Sequence, residues 1–367
     1  MDRRSFLKAG ALLPAAAAPR LATAQQLPFQ PRQALSWRMF EVTTRVDVLV
    51  PGGTTKVWLP VPSVNSTYQK VVDNGWSGNA STAKILYDGK YGAGMLYAEW
   101  PDSENKPYVE LHSRFMTRDR AVDFGSRLTR VGDRLTPEER RFYTAPTEHI
   151  PVDGIVLQTA REITNGLRGD YDKAKAIYEW IVDNTFRDPK VRGCGTGDIK
   201  AMLETGNLGG KCADLNALYV GLARASGLPA RDVYGVRVAK SQFGYRSLGA
   251  GTENITRAQH CRAEVYLEAY GWVPVDPADV RKVVLEERAQ PTTVDDPLVQ
   301  AVRPKLFGAW EMNWLAFNTA NDIALPHSQY AKLTFLMYPQ AETSAGRLDS
   351  LDPDNFRYSM SSKELTA

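Results

Sequence analysis

The stretch Asn207-Leu-Gly-Gly-Lys-Cys212-Ala-Asp-Leu-Asn-Ala-Leu-Tyr-Val-Gly-Leu-Ala-Arg-Ala-Ser-Gly-Leu-Pro-Ala-Arg231 decides how this chain reads. It opens on a glycine turn and places a cysteine where a helix begins. Leu215, Leu218, Tyr219, Leu222 and Ala225 recur at helical spacing and make one apolar stripe. Gly227 suits a C-cap, and Pro229 prevents continuation. A thiol reacts as thiolate, and the free N–H groups and dipole of a helix N-terminus favour that anion. Gly209 and Gly210 allow close approach of a substrate, and the Cys212 N–H is available to a developing oxyanion. The same position also suits a buried structural cysteine.

A cysteine nucleophile needs a base. The chain has four histidines, at 112, 149, 260 and 327. His112 falls within an alternating strand, His149 in an irregular segment, and His327 after Pro326 in a loop. His260 opens a strand. Period-two alternation puts it on one face with Arg262, Glu264, Tyr266 and Glu268, which reads as the polar face. Cys261, Ala263, Val265 and Leu267 form the opposite, core face. A histidine base needs an orienting acceptor. Asp276 follows 16 residues later, at the end of the strand that returns from Tyr270-Gly271. Straight hairpin register does not set it opposite His260, so a bulge or a diagonal contact is required. Asp276-Pro277 also reads as the start of a turn.

Together, Gly-Gly-Lys-Cys212-Ala-Asp-Leu-Asn, Leu-Ala-Arg-Ala-Ser-Gly-Leu-Pro-Ala-Arg231 and His260…Tyr-Gly-Trp272-Val-Pro-Val-Asp276-Pro resemble the bacterial transglutaminase-like cysteine hydrolase superfamily. Flanking helices extend the resemblance to roughly residues 155–290. It implies an α+β, papain-like core in which the cysteine helix packs on an antiparallel sheet carrying the histidine and aspartate. It also implies Cys212 as nucleophile, His260 as base and then acid, and Asp276 as its orienter. No cofactor and no metal is implied. Gly210, Lys211, Asp214, Arg262 and Trp272 are the candidate substrate contacts. Two departures stand out. Family members often carry tryptophan where this chain has Arg262; an arginine lining the cleft would favour a carboxylate-bearing substrate. Phe186, near where some members carry a polar aromatic, cannot donate to an oxyanion.

The rest of the chain organises around that core. Residues 1–25 read as a twin-arginine export signal: Arg3-Arg4, an apolar run, then Ala22-Thr-Ala24. Residues 1–24 hold four basic residues and one acidic residue, so of 45 basic and 42 acidic residues 41 of each remain. No basic stripe is present, which argues against a nucleic-acid partner. The expected partner is a peptide or protein substrate in the periplasm, without stable membrane insertion. Residues 26–36 read as a linker and 37–123 as short alternating strands of a sandwich-like, β-rich domain. Residues 124–150 read as a second linking region with a helix start at Thr136, 151–340 as the catalytic domain, and 341–367 as a tail. The loop 241–256 is placed to cover the cleft.

Three cysteines in an oxidising compartment allow one pair plus one free thiol. A Cys194–Cys261 bridge would leave Cys212 free, a bridge using Cys212 would abolish catalysis, and neither is required. A metal site from Cys194, Cys212, Cys261 and His260 lacks any Cys-x-x-Cys spacing. Trp310, Trp314 and Asn321-Asp322 are candidates either for core packing or for the cleft wall. The expected reaction is thioester-mediated hydrolysis of a peptide or amide. Transfer to an amine, or a scaffold that binds without catalysis, are the alternatives.

Overall fold

The computed structural model describes residues 27–126 and 134–365. The export signal read in residues 1–25 lies outside them. Three antiparallel sheets dominate. The first runs, in spatial order, Phe356–Leu365, Arg38–Val48, Tyr108–Thr117 and Gln69–Gly78. The second runs Gly346–Arg347, Gln340–Thr343, Thr55–Pro60, Gly94–Trp100 and Thr82–Tyr87. Val46, Val48, Val109 and Leu111 of the first meet Val57, Leu59, Leu96 and Trp100 of the second in one buried cluster. Period-two alternation explains this: each strand turns one apolar face inward.

The third sheet carries the site. Its order is Gly271–Val275, Gln259–Leu267, Ala230–Arg237 and Trp314–Asn318. The helix Cys212–Ala225 packs on it and is buried along almost its whole length. The helix has apolar residues nearly all round because Gly154–Ile163, Asp170–Asn184 and Pro277–Glu286 also pack against it. The helix ends as its sequence suggests, with Gly227 at φ +83° just beyond the cap. Among the described residues no helix is long and apolar enough to cross a membrane.

The boundaries differ from expectation in three places. Residues 356–365 are not a tail: they pair with Arg38–Val48 over ten register positions. Gln340–Thr343 pairs with Thr55–Pro60. The linker expected before residue 37 holds Phe29, which is buried edge-on against Phe243 and Tyr245. Pro137–Thr144 forms the helix begun at Thr136, closed by a capping box with Glu139.

Candidate active site

Cys212 is the first residue of its helix, so its N–H has no acceptor within the helix. The turn before it is fixed by Asp214. That buried carboxylate accepts from the N–H groups of Thr196 and Gly197 and from Lys211, each at 2.9 Å. A side chain at Gly195 (φ +95°) or Gly210 would collide with the Asp214 side chain. The two glycines are therefore required for the backbone to close around this carboxylate. The closure brings residue 194 alongside the helix start, with Ala213 N–H donating to the Cys194 carbonyl at 2.9 Å.

The hairpin register pairs Ala263 with Val275. Continued by one residue, it sets Asp276 opposite Arg262 and diagonal to His260, on the same face of the sheet. The diagonal contact forms: His260 Nε2 lies 2.8 Å from Asp276 Oδ2. Asp276 also caps the next helix, accepting from Asp279 N–H at 3.0 Å, so it starts the turn and contacts His260 at once. One turn along the cysteine helix, Asn216 donates to the Cys261 carbonyl at 2.8 Å and to Asp276 Oδ1 at 3.4 Å. Cys212 and Asn216 are four residues apart on one helix face, and so Cys212 and the Asp276 carboxylate are tied to the same rigid element.

A second carboxylate, Asp279, stands 3.3 Å from His260 Nε2 and is paired with Arg237. Burial and Arg237 push the His260 pKa down. Asp279 and Asp276 outweigh them and raise it to about 9. With Nε2 engaged by the carboxylates, Nδ1 is left for the cysteine sulfur, and the imidazole is among the neighbours that favour the Cys212 thiolate. The Cys212 thiol is held well below its ordinary value, first by hydrogen bonds from the Cys194 and Cys261 thiols and then by His260, against the opposing effect of burial. Cys261, first by burial, and Cys194, first by the neighbouring Cys212, are shifted the other way, well above the ordinary range. All three cysteines are free and buried. Cys261 faces the core as expected, with its sulfur 3.9 Å from Met337 Sδ, yet it also reaches Cys212. His260, Asp276 and Asp279 form the one set among the described residues with donor atoms close enough for a metal ion. Their carboxylates already carry guanidinium partners, Arg262 on Asp276 and Arg237 on Asp279.

Cys212 and His260 line a cavity of about 590 Å³ with Lys211 in its wall. Other expected contacts lie elsewhere. Gly210 and Asp214 build the turn behind Cys212. Arg262 is fully buried, with Nε 3.4 Å from Asp276 Oδ2 and its guanidinium 4.7 and 5.2 Å from the ring centres of Trp314 and Trp310. It cannot meet a substrate, and the face read as polar is covered by those two tryptophans. Both are core residues, as is Asn321, which donates to Tyr234 Oη. Trp272 packs edge-on against Tyr143, under Arg231. The loop 241–256 does reach the site, contributing Gly249, Ala250, Gly251, Asn254 and Thr256 to the cavity wall. Asp279, Asn216 and Arg237 escaped the sequence reading. Asp276-Pro-Ala-Asp279 is a helix-start pattern that could have flagged Asp279.

A family model described as the transglutaminase-like superfamily matches residues 157–277. An uncharacterized protein of Haemophilus influenzae is 39% identical over 342 residues, covering 89% of this chain and 92% of its own length. Among solved structures, a candidate cysteine protease from Cytophaga hutchinsonii is 15% identical with a TM-score of 0.49, covering 89% of this chain and 98% of that one. The periplasmic domain of TgpA from Pseudomonas aeruginosa is 14% identical with a TM-score of 0.33, covering 67% and 90%. The matched segment begins within the helix Gly154–Ile163, three helices before the cysteine helix, and runs through Cys212, His260 and Asp276. With its helix-on-antiparallel-sheet core, the segment 157–277 of this chain is a domain of the transglutaminase-like superfamily.

Proposed function

We propose that the protein is a cysteine hydrolase that cleaves a peptide or amide through a thioester. The observation that carries this reading is the contact of His260 Nε2 with Asp276 at 2.8 Å, with His260 and Cys212 lining the same cleft. The Cys212 thiolate attacks the carbonyl carbon, and the oxyanion forms beside the free Cys212 N–H. The His260 imidazolium gives its proton to the departing amine as the carbon–nitrogen bond breaks. Neutral His260 then takes a proton from water, whose oxygen attacks the thioester. The carboxylic acid leaves, and the proton returns to the Cys212–His260 pair. Asp276 holds the imidazole and stabilises its charged form.

Iodoacetamide labelling across pH, mapped by mass spectrometry, tests the pair. Fast labelling at Cys212 well below the ordinary thiol pKa of about 8.5, lost in His260→Ala, is expected. Slow labelling with ordinary thiol behaviour sinks the reading. Incubating the enzyme with a peptide pool and a fluorescent primary amine separates the two acceptors. New carboxyl termini mark hydrolysis, whereas amine incorporation marks transamidation. Residues 1–25 are assigned to export, and cell fractionation with N-terminal sequencing tests that: a cytoplasmic chain with an intact N-terminus refutes it.

A further inference from the structure

The cleft has an unusual charge. Six cationic side chains line it and no aspartate or glutamate does. Four of the six are already matched. Arg187 and Lys282 share Glu286, Arg192 holds Asp349, and Arg237 holds Asp279. Lys211 and Arg257 are different: among the described residues neither has a carboxylate in ion-pairing range. Lys211 immediately precedes the nucleophile. Arg257 lies three residues before His260, in a loop pinned to the strand Phe356–Leu365. There Ile255 N–H donates to the Met360 carbonyl and Met360 N–H to Thr256 Oγ1, both at 2.9 Å. The Arg257 backbone is thus held in place.

We infer that the substrate carries carboxylates next to the scissile amide, and that Lys211 and Arg257 are the residues that select it. This rests on Cys212 and His260 acting as proposed above. Two unmatched cations in a concave wall with no acidic neighbour focus a positive potential on the reacting carbon. An acidic peptide segment supplies the missing counter-charges. A basic segment entering the same cleft would meet like charge with nothing to offset it. The arginine at position 262 plays no part in this selection, because it is buried against Asp276.

Two alkylating reagents of nearly equal size test the idea on the full chain. Iodoacetate carries a carboxylate and iodoacetamide does not. The measured quantity is the ratio of their rates at Cys212, divided by the same ratio for free glutathione. The normalised ratio should exceed one and fall toward one with added salt. It should drop about three-fold in each of Lys211→Met and Arg257→Gln, the size of a partly exposed ion pair. A change in thiolate population affects both reagents equally and cancels. A ratio near one that neither variant moves, while iodoacetamide still labels fast, overturns the inference and spares the catalytic reading. Slow labelling by both reagents overturns the catalytic reading, and this inference with it. As a second arm, paired peptides differing only in Glu for Gln beside the cleaved bond should differ in kcat/KM in favour of Glu. Equal cleavage refutes the selection.

Discussion

Two buried charge clusters sit on one face of one strand, only four residues apart, and they do different things. Glu264 is completely enclosed and paired with Arg120 and Arg231. Burial pushes its carboxyl up, but Arg231 and Arg120 prevail and hold it below the usual range. That cluster is saturated, with one oxygen of Glu264 on each guanidinium. At the other end, His260 meets two carboxylates and borders a cavity with the Cys212 sulfur. Burial of charge is common to both and so does not mark function. The difference is that the second cluster leaves one imidazole nitrogen for a nucleophile and lies against space for a substrate.

The contrast can be broken most sharply at the sulfur. Cys212→Ala should abolish the fast-labelling site altogether while far-UV circular dichroism is unchanged; labelling that persists at the same rate places the reactive thiol elsewhere. Next comes His260→Ala, which should slow Cys212 alkylation at pH 6 by about ten-fold or more, since the thiol then loses the imidazolium while Cys194, Cys261 and the helix N-terminus still favour the thiolate. A change under two-fold would erase the distinction between the clusters. The Glu264 cluster should answer in the other currency. Glu264→Gln leaves two buried guanidiniums facing a neutral amide and should cost about 3 kcal/mol or more, read from urea unfolding. Its Cys212 labelling rate should match the parent's, and a loss of reactivity there would link the clusters after all.

The smallest effect concerns pH. His260 is raised from 6.5 to about 9. Its contribution to stability is therefore present in full below the unfolded value of about 6.5. It is lost as the pH rises through about 9. In the proposed mechanism the imidazolium protonates the leaving group, so activity should fall over the same range. Asp279→Asn removes one of the two charges holding the proton and should move the limb toward neutrality, measured as the pH profile of Cys212 labelling. A limb that stays near 9 would leave Asp276 as its sole cause.

Much of the core was legible before any coordinates. The helix from Cys212, its glycine stop, the His260 strand and the returning strand follow from local periodicity and turn chemistry, which act within a few residues. The strand Gln69–Gly78 was not legible. Its Asp-Asn-Gly run and outward-facing positions lack alternation, and it is held by pairing with Tyr108–Thr117 across a register shift. The strand Phe356–Leu365 reads as polar for the same reason: half of it faces solvent, and its partner is Arg38–Val48, more than 300 residues away.

The chain by itself determined which atoms are available for chemistry: one thiol at a helix start, one histidine on a strand face, and one aspartate at a diagonal distance set by hairpin spacing. Those are local facts, fixed by short-range backbone geometry. Only the tertiary structure decided what surrounds them. It enclosed Arg262 between two tryptophans, added Asp279 and Asn216 to the histidine and its carboxylate, and brought three thiols together. It also set Lys211 and Arg257 in one cleft wall without acidic partners. Each of these depends on side chains distant in sequence meeting through packing, where burial and neighbouring charge, rather than residue type, set what a group does.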